Sequence, residues 1–285
     1  MALVDSVPVN GCHECVALLT LPLALFLLLA ETAVGGIATV TYLRITGGLT
    51  PGFLKFIAVT YAIFGMLAFL VVLAGPPNPP AINTTIAHGL VFLQGLLVIA
   101  LVVNAVVVWR RKDALTGWAL TLSASALLLA AVAAALWPLA GSLLDGAAIV
   151  LLVALSAAVL GAATTGMLLG HWYLVTPALT NRPLLRAIVV LLVSLVLQAI
   201  LFPLTLGGLA HGAGSVGQAL GLSPVLTALW ILSAVVLPLV ATALALPTCR
   251  LRSFMSTTGL LYLAMIAILP GQLLGQLLFF IVASA

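Results

Sequence analysis

Few side chains in this sequence could do chemistry, and Glu31 is the one acidic residue that lies deep within a long apolar run. A charged carboxyl at membrane depth costs at least ~2–3 kcal/mol, so such a residue usually faces the interior of a helical bundle and marks a ligand site or a proton path. Glu31 could transfer a proton or donate a hydrogen bond to a bound quinone. The structural alternative is a protonated Glu31 bonded to a neighbouring helix. Gly35 and Gly36 follow one turn later, where a second helix or a flat ring could approach closely.

Histidines are the other residues that could bind a redox cofactor. The topology derived below places His13, His88 and His211 at the outer face and His171 at the inner face. A neutral imidazole can donate to a quinone carbonyl and exchange a proton near pH 7. A b-type haem needs axial ligands at one depth, a requirement that His88 and His211 could meet but that His88 and His171 could not. Each histidine could also be an interfacial residue without a ligand.

The triplet His171-Trp172-Tyr173 has a structural explanation that comes first. Trp and Tyr sit at headgroup depth with their apolar bodies buried and their polar tips wet, so the triplet is typical of an aromatic belt. A cofactor site at His171 in the cytoplasmic leaflet is the second interpretation.

The densest group of metal-capable side chains is Cys12-His13-Glu14-Cys15. Cys12 and Cys15 could form a disulfide, bind a metal together with His13, or contact a partner that carries a redox centre. The order is not the Cys-x-x-Cys-His of c-type haem attachment, and two thiols alone do not close a structural zinc site. A disulfide or a partner contact is the favoured interpretation. Cys249 is predicted to be a free thiol.

The composition excludes an ordinary soluble protein. Hydrophobic residues make up 65% of the 285 residues and charged residues only 5%, whereas soluble domains carry about 25% charged residues. Lipid must therefore be the solvent for most of the surface, and we expect a single integral membrane domain over 1–285. The net charge of +4 comes from dispersed residues that form no patch, so nucleic-acid binding is not expected. The sequence contains no P-loop, dinucleotide fingerprint, nucleophile elbow or HExxH motif.

The apolar runs predict an all-α bundle of eight transmembrane helices, because a span needs about 20 apolar residues. The predicted helices are 16–42, 53–75, 85–109, 115–140, 144–171, 184–206, 223–247 and 254–283. No cleavable signal peptide is expected, since residues 1–15 carry no Lys or Arg and the first apolar run exceeds the length of an h-region. Short connectors predict that consecutive helices pack as neighbours.

The basic residues predict the orientation. All nine lie at the connectors after the first, third, fifth and seventh helices: Arg44, Lys55, Arg110, Arg111, Lys112, Arg182, Arg186, Arg250 and Arg252. The positive-inside rule places these connectors in the cytoplasm and both termini on the outer, periplasmic or extracellular side. We expect a multi-pass protein of a cell membrane, and specifically a bacterial plasma membrane.

Two further patterns bear on function. The ends of the first and fifth helices resemble each other, which suggests parallel repeats over 16–140 and 144–283 or a chance likeness. Gln272 and Gln276 share one face of the last helix beside Gly271 and Gly275, which favours interhelical hydrogen bonds at a small-residue contact. The Gly-rich stretch 207–222, which contains His211, is predicted to be the longest loop.

Three functions fit these residues. The first is a membrane subunit of a respiratory or redox complex that anchors a partner enzyme on the outer face and exchanges electrons with quinone, with haem b as a further cofactor. The second is a transporter or channel for a small neutral substrate, since interrupted helices and a repeat fit that class. The third is a structural scaffold without a site.

Overall fold

A computed structural model describes residues 13–74, 84–110, 115–137, 142–212 and 224–283. For 13–20, 84–88, 145, 202–212, 224, 226–227 and 278–283 it describes the backbone alone. Cys12 therefore lies outside the described residues, and the side chains of His13, Cys15, His88 and His211 do too.

The described residues are 93% helical, and they contain eight helices long and apolar enough to cross a membrane. The seventh is built from two α-helices joined by a π-helical segment, Leu232–Val236. The α-helices are α1 (His13–Thr46), α2 (Pro51–Ala74), α3 (Thr84–Trp109), α4 (Leu115–Leu136), α5 (Leu143–Val175), α6 (Arg182–Gly212), α7 (Pro224–Ile231), α8 (Leu237–Arg250) and α9 (Phe254–Ala283). This confirms the predicted fold class and the count of spans among the described residues.

Several helices extend further than the sequence predicts. Helix α5 continues to Val175, so Trp172 and Tyr173 belong to the helix together with His171. Helix α6 continues to Gly212, so His211 and the glycines before it are helical, and the predicted loop 207–222 was wrong in its first part. Helical glycines are acceptable here because a backbone in lipid must satisfy its hydrogen bonds internally, and a helix is the simplest way to do so.

Helix α1 runs through the middle of the bundle. Its most apolar window is 83% buried, compared with 33% for α2. The two halves of the chain share one order of packing: α1, α2, α3 and α4 contact each other in a ring, and α5, α6, α8 and α9 do the same. The halves meet where α1 packs along α5. A parallel repeat would produce this arrangement, although the repeat itself stays a prediction.

Helices α1 and α5 touch backbone to backbone. A Cβ added to Gly35 would collide with the Ala157 carbonyl, and a Cβ added to Gly161 would collide with the backbone of Gly35. A Cβ on Gly36 would overlap the ring of Tyr61. The predicted close approach of a second helix at Gly35-Gly36 is confirmed, and the ring that lies against Gly36 is the Tyr61 side chain.

One end of the bundle collects all the basic residues that the structure describes; we call it the basic end. Arg186 Nη1 donates to the Thr46 carbonyl at 2.7 Å, and Arg252 Nη2 donates to the Leu179 carbonyl at 2.8 Å. These bonds join the connector after α1 to the start of α6, and the connector after α5 to the start of α9. The Lys55 ammonium lies 5.6 Å from the ring centre of Trp109, so α2 begins where α3 ends.

Candidate functional site

Glu31 lies on α1 with only 2% of its surface exposed. Its Oε2 is 2.5 Å from Ser156 Oγ on α5 and accepts a hydrogen bond of 2.7 Å from Gln276 Nε2 on α9. The sequence predicted a buried carboxyl facing other helices, and the structure supplies two polar partners for it. Gln276 Oε1 is buried and has no partner among the described residues.

The hydrogen bonds continue from Ser156 to a pair of glutamines. Ser156 Oγ lies 3.0 Å from Gln272 Oε1, and Gln272 Nε2 donates to Gln198 Oε1 on α6 at 3.1 Å. Gln198 Nε2 returns a bond of 3.3 Å to Gln272 Oε1. We call Glu31, Ser156, Gln198, Gln272 and Gln276 the polar network. It confirms the predicted interhelical role of the two glutamines on the last helix.

The number of hydrogens in the polar network bears on the state of Glu31. Ser156 has one hydroxyl hydrogen, yet its oxygen contacts two acceptor oxygens, one on Glu31 and one on Gln272. With Gln272 Oε1 facing Ser156, both contacts are hydrogen bonds only when Glu31 is protonated and donates to Ser156, which then donates to Gln272. An unpaired charge in this buried position would also be costly. The geometry therefore favours a neutral Glu31 carboxyl that holds a proton in contact with a hydroxyl.

The network lies near the middle of the bundle. At 1.5 Å rise per residue, Glu31, Ser156, Gln198 and Gln272 are each roughly 22–28 Å along their helices from the basic end. Gly271, next to Gln272, packs against the backbone of Ser233 and Ala234 in the π-helical segment. Within the network, Glu31 is buried, whereas the side chains of Gln198 and Gln276 are only partly buried.

The π-helical segment ends directly before a proline turn. Pro238 stands at the start of α8 and has no N–H, so it cannot donate to the Ala234 carbonyl, and its ring would crowd that carbonyl in an α-helix. A wider turn before the proline relieves the crowding. Such π-turns often occur at functional sites, and this one contacts α9 beside the network.

A second buried polar contact lies about two and a half turns from Ser156 along α5, closer to the basic end. Tyr61 Oη on α2 is 2.5 Å from Thr165 Oγ1 on α5, and the Tyr61 ring covers Gly36 of α1. It ties α2 to the α1–α5 contact, and the sequence interpretation did not single it out.

The aromatic triplet has mostly protein contacts. Trp172 stacks on Phe56 with ring centres 6.2 Å apart, and buried Tyr173 donates a hydrogen bond to the Thr180 carbonyl. His171 is exposed at the basic end. This geometry fits the anchoring interpretation of the triplet, and it does not bring His171 to the polar network.

The other predicted site residues are far from this network in the fold. His88 is in the first turns of α3, and His211 is in the last turn of α6, both at the end opposite the basic end. Helix α3 packs against α2 and α4, whereas α6 packs against α5 and α8, so the two histidines belong to different halves. The haem expectation stays a prediction, and so does the metal or disulfide role of Cys12, His13 and Cys15. Cys249 is a buried free thiol, as predicted.

Sequence interpretation missed Ser156 and Gln198 as partners. Gln198 is an isolated amide in an apolar helix, and such residues usually bond to another helix in the membrane. That signal could have joined it to Gln272, but no sequence feature names Ser156 as the link to Glu31. In comparisons, the chain matches no family model, and no characterised protein or solved structure is significantly similar to it.

Proposed function

We propose that this chain is the integral membrane subunit of a respiratory or redox complex, and that it exchanges protons and electrons with quinone at the polar network. The observation that supports this most is the buried Glu31 carboxyl, which contacts a hydroxyl and an amide group inside the bundle. Glu31 is the acidic residue that lies deepest within a long apolar run, and its hydrogen-bond partners come from other helices. Such a constellation suits proton exchange with a neutral, lipid-soluble ligand.

Quinone chemistry needs the groups that the network contains. Reduction of a quinone to a quinol takes up two electrons and two protons, and the electrons come from a redox centre of a partner subunit. A neutral Glu31 can give its proton to a quinone oxygen and recover one from the aqueous side. Amide N–H groups such as that of Gln276 can hold the carbonyl oxygen in place during the transfer.

An apolar groove lies along α9 on the side of the network that is closer to the basic end. Its volume is about 450 Å³, and its lining residues come from α2, α5 and α9, with Thr164, Met265 and Leu269 among them. Leu269 and Gln272 are three residues apart and share one side of α9. In this proposal, the groove receives part of the isoprenoid tail while the polar network meets the ring.

The partner subunit and the haem belong to the same proposal. From the positive-inside rule we infer that the termini and Cys12-His13-Glu14-Cys15 lie on the outer side, where a partner that carries an electron-transfer centre would dock. His88 and His211 are at that end too. A haem b bound by these histidines would extend the electron path from the partner into the membrane subunit.

The test is a purification of the native complex from membranes. We expect co-purifying protein subunits, extractable quinone, and quinol-to-dye turnover that falls at least about 100-fold in Glu31→Gln, as for loss of a general acid.

Asn104→Ala is the matched control, because Asn104 is equally buried but lies on α3 outside the network. The turnover of this variant should stay within about twofold of wild type. A redox difference spectrum reports any haem. Purification of the chain alone, without quinone, pigment or partner, would contradict the proposal.

Transport of a small neutral substrate is the second candidate. The π-helical segment beside Gly271, within two rings of four helices, favours it, because transporters place their sites where helices are interrupted between repeats. Uptake by liposomes that contain the chain alone, abolished by Glu31→Gln, would support transport. The redox proposal expects no such uptake.

A further inference from the structure

A shallow groove runs down the outside of α2 from the basic end. Its volume is about 380 Å³, and its lining residues are Gly52, Lys55, Phe56, Val59, Ile63 and Trp109, together with Thr60. The α2 members recur every three or four residues, so they form one face of the helix. This face points away from the bundle: Val59 is 39% exposed and Ile63 is 54% exposed.

The length of the groove matches one lipid chain. From Gly52 to Ile63 the helix rises about 16 Å at 1.5 Å per residue. Half of a bilayer's hydrocarbon core is about 15 Å thick. An acyl chain that starts at the basic end of the groove would therefore reach the middle of the membrane beside Ile63.

The mouth of the groove is positively charged. Lys55 lies there, with its ammonium 5.6 Å from the ring centre of Trp109. Among residues with described side chains, Glu31 is the only acidic one, and it is buried in the bundle interior, so no described carboxylate pairs with Lys55. Arg110 follows Trp109 at the same end. A lysine and an exposed tryptophan at this level suit the headgroup region, where an anionic phosphate would meet the ammonium.

We propose that this groove binds an anionic phospholipid, with its phosphate at Lys55 and one acyl chain along α2 as far as Ile63. The site is separate from the polar network, which lies inside the bundle, and the proposal does not depend on quinone chemistry. The bound lipid would cover the exposed face of α2 around Val59 and Ile63.

Native mass spectrometry of the full chain in detergent, titrated with phosphatidylglycerol or phosphatidylcholine, tests this site. Wild type should bind the first phosphatidylglycerol more tightly than phosphatidylcholine. Lys55→Gln should weaken phosphatidylglycerol binding about fivefold, the effect of one basic residue at a membrane surface, and should leave phosphatidylcholine binding unchanged. Val59→Trp fills the groove and should weaken binding of both lipids.

Arg250→Gln is the matched control, because Arg250 is exposed at the same end but on α8, away from α2. It should bind phosphatidylglycerol like wild type. An equal loss in Arg250→Gln and Lys55→Gln would show attraction to the basic end as a whole and would overturn the site. Equal affinity of wild type for both lipids, or unchanged binding in Val59→Trp, would overturn it as well. Thermal unfolding of each variant confirms that the folded chain was compared.

Discussion

Replacing Gly161 by alanine perturbs the contact on which the polar network depends. Gly161 lies on α5 directly against the backbone of Gly35 on α1, and an added Cβ would overlap it. The obstructing atoms are backbone, so no side-chain rotation can relieve the overlap. Carbon atoms pack at about 3.5–4.0 Å, so α1 and α5 would have to separate by more than about 1 Å.

The energetic cost can be worked from this separation. Forcing extra volume into a packed contact costs about 1–3 kcal/mol. The 2.5 Å contact between Ser156 and Glu31 is little more than one turn from Gly161, and its loss adds about 1 kcal/mol. We therefore expect Gly161→Ala to lower the free energy of unfolding by about 2–4 kcal/mol.

Unfolding in mixed micelles by increasing fractions of sodium dodecyl sulfate measures this change, with Gly259→Ala as the matched control. Gly259 is also a helical glycine, but an added Cβ there has no neighbour within 4 Å. Alanine is the better helix former by about 1 kcal/mol, so this control should be as stable as wild type or slightly more stable. Equal unfolding midpoints for the two variants would refute the backbone contact between α1 and α5.

Two other changes test the parts of the fold that surround the network. Tyr61→Phe removes the hydroxyl that bonds Thr165 but keeps the ring over Gly36, so the free energy of unfolding should fall by about 0.5–1.5 kcal/mol in the same titration; a larger loss would mean that the ring has moved. Arg186→Gln removes the bond to the Thr46 carbonyl at the end of α1, so hydrogen exchange of the amides just after Thr46 should become faster while exchange at mid-helix stays unchanged. Unaltered exchange after Thr46 would contradict the role of Arg186.

The sequence predicts the spans well because lipid demands long apolar runs with internally bonded backbones. It does not predict which helix is central. Helices α1 and α2 are both apolar, yet the window of α1 is 83% buried and that of α2 is 33% buried. Lipid tails and protein interior are about equally apolar, so hydrophobicity cannot distinguish the two surroundings.

The same limit applies to the candidate site. Glu31 and the glutamines of α9 stand out in the sequence because polar groups are costly in lipid. Ser156 does not, since a serine can bond its own helix backbone and needs no distant partner. The π-helical segment depends on Pro238 and on how α8 packs against α9, and a single sequence reveals only the proline.

The central claim is that Glu31 is a neutral carboxyl that donates to Ser156 within the polar network. Infrared spectroscopy of the full chain in lipid at neutral pH tests it most directly, because a protonated carboxyl has a C=O stretch separate from the carboxylate bands. The claim predicts such a band in wild type, its disappearance in Glu31→Gln, and a shift in Ser156→Ala, where the acceptor hydroxyl is lost. A wild-type spectrum with carboxylate bands alone, or a protonated band that survives in Glu31→Gln, would contradict it.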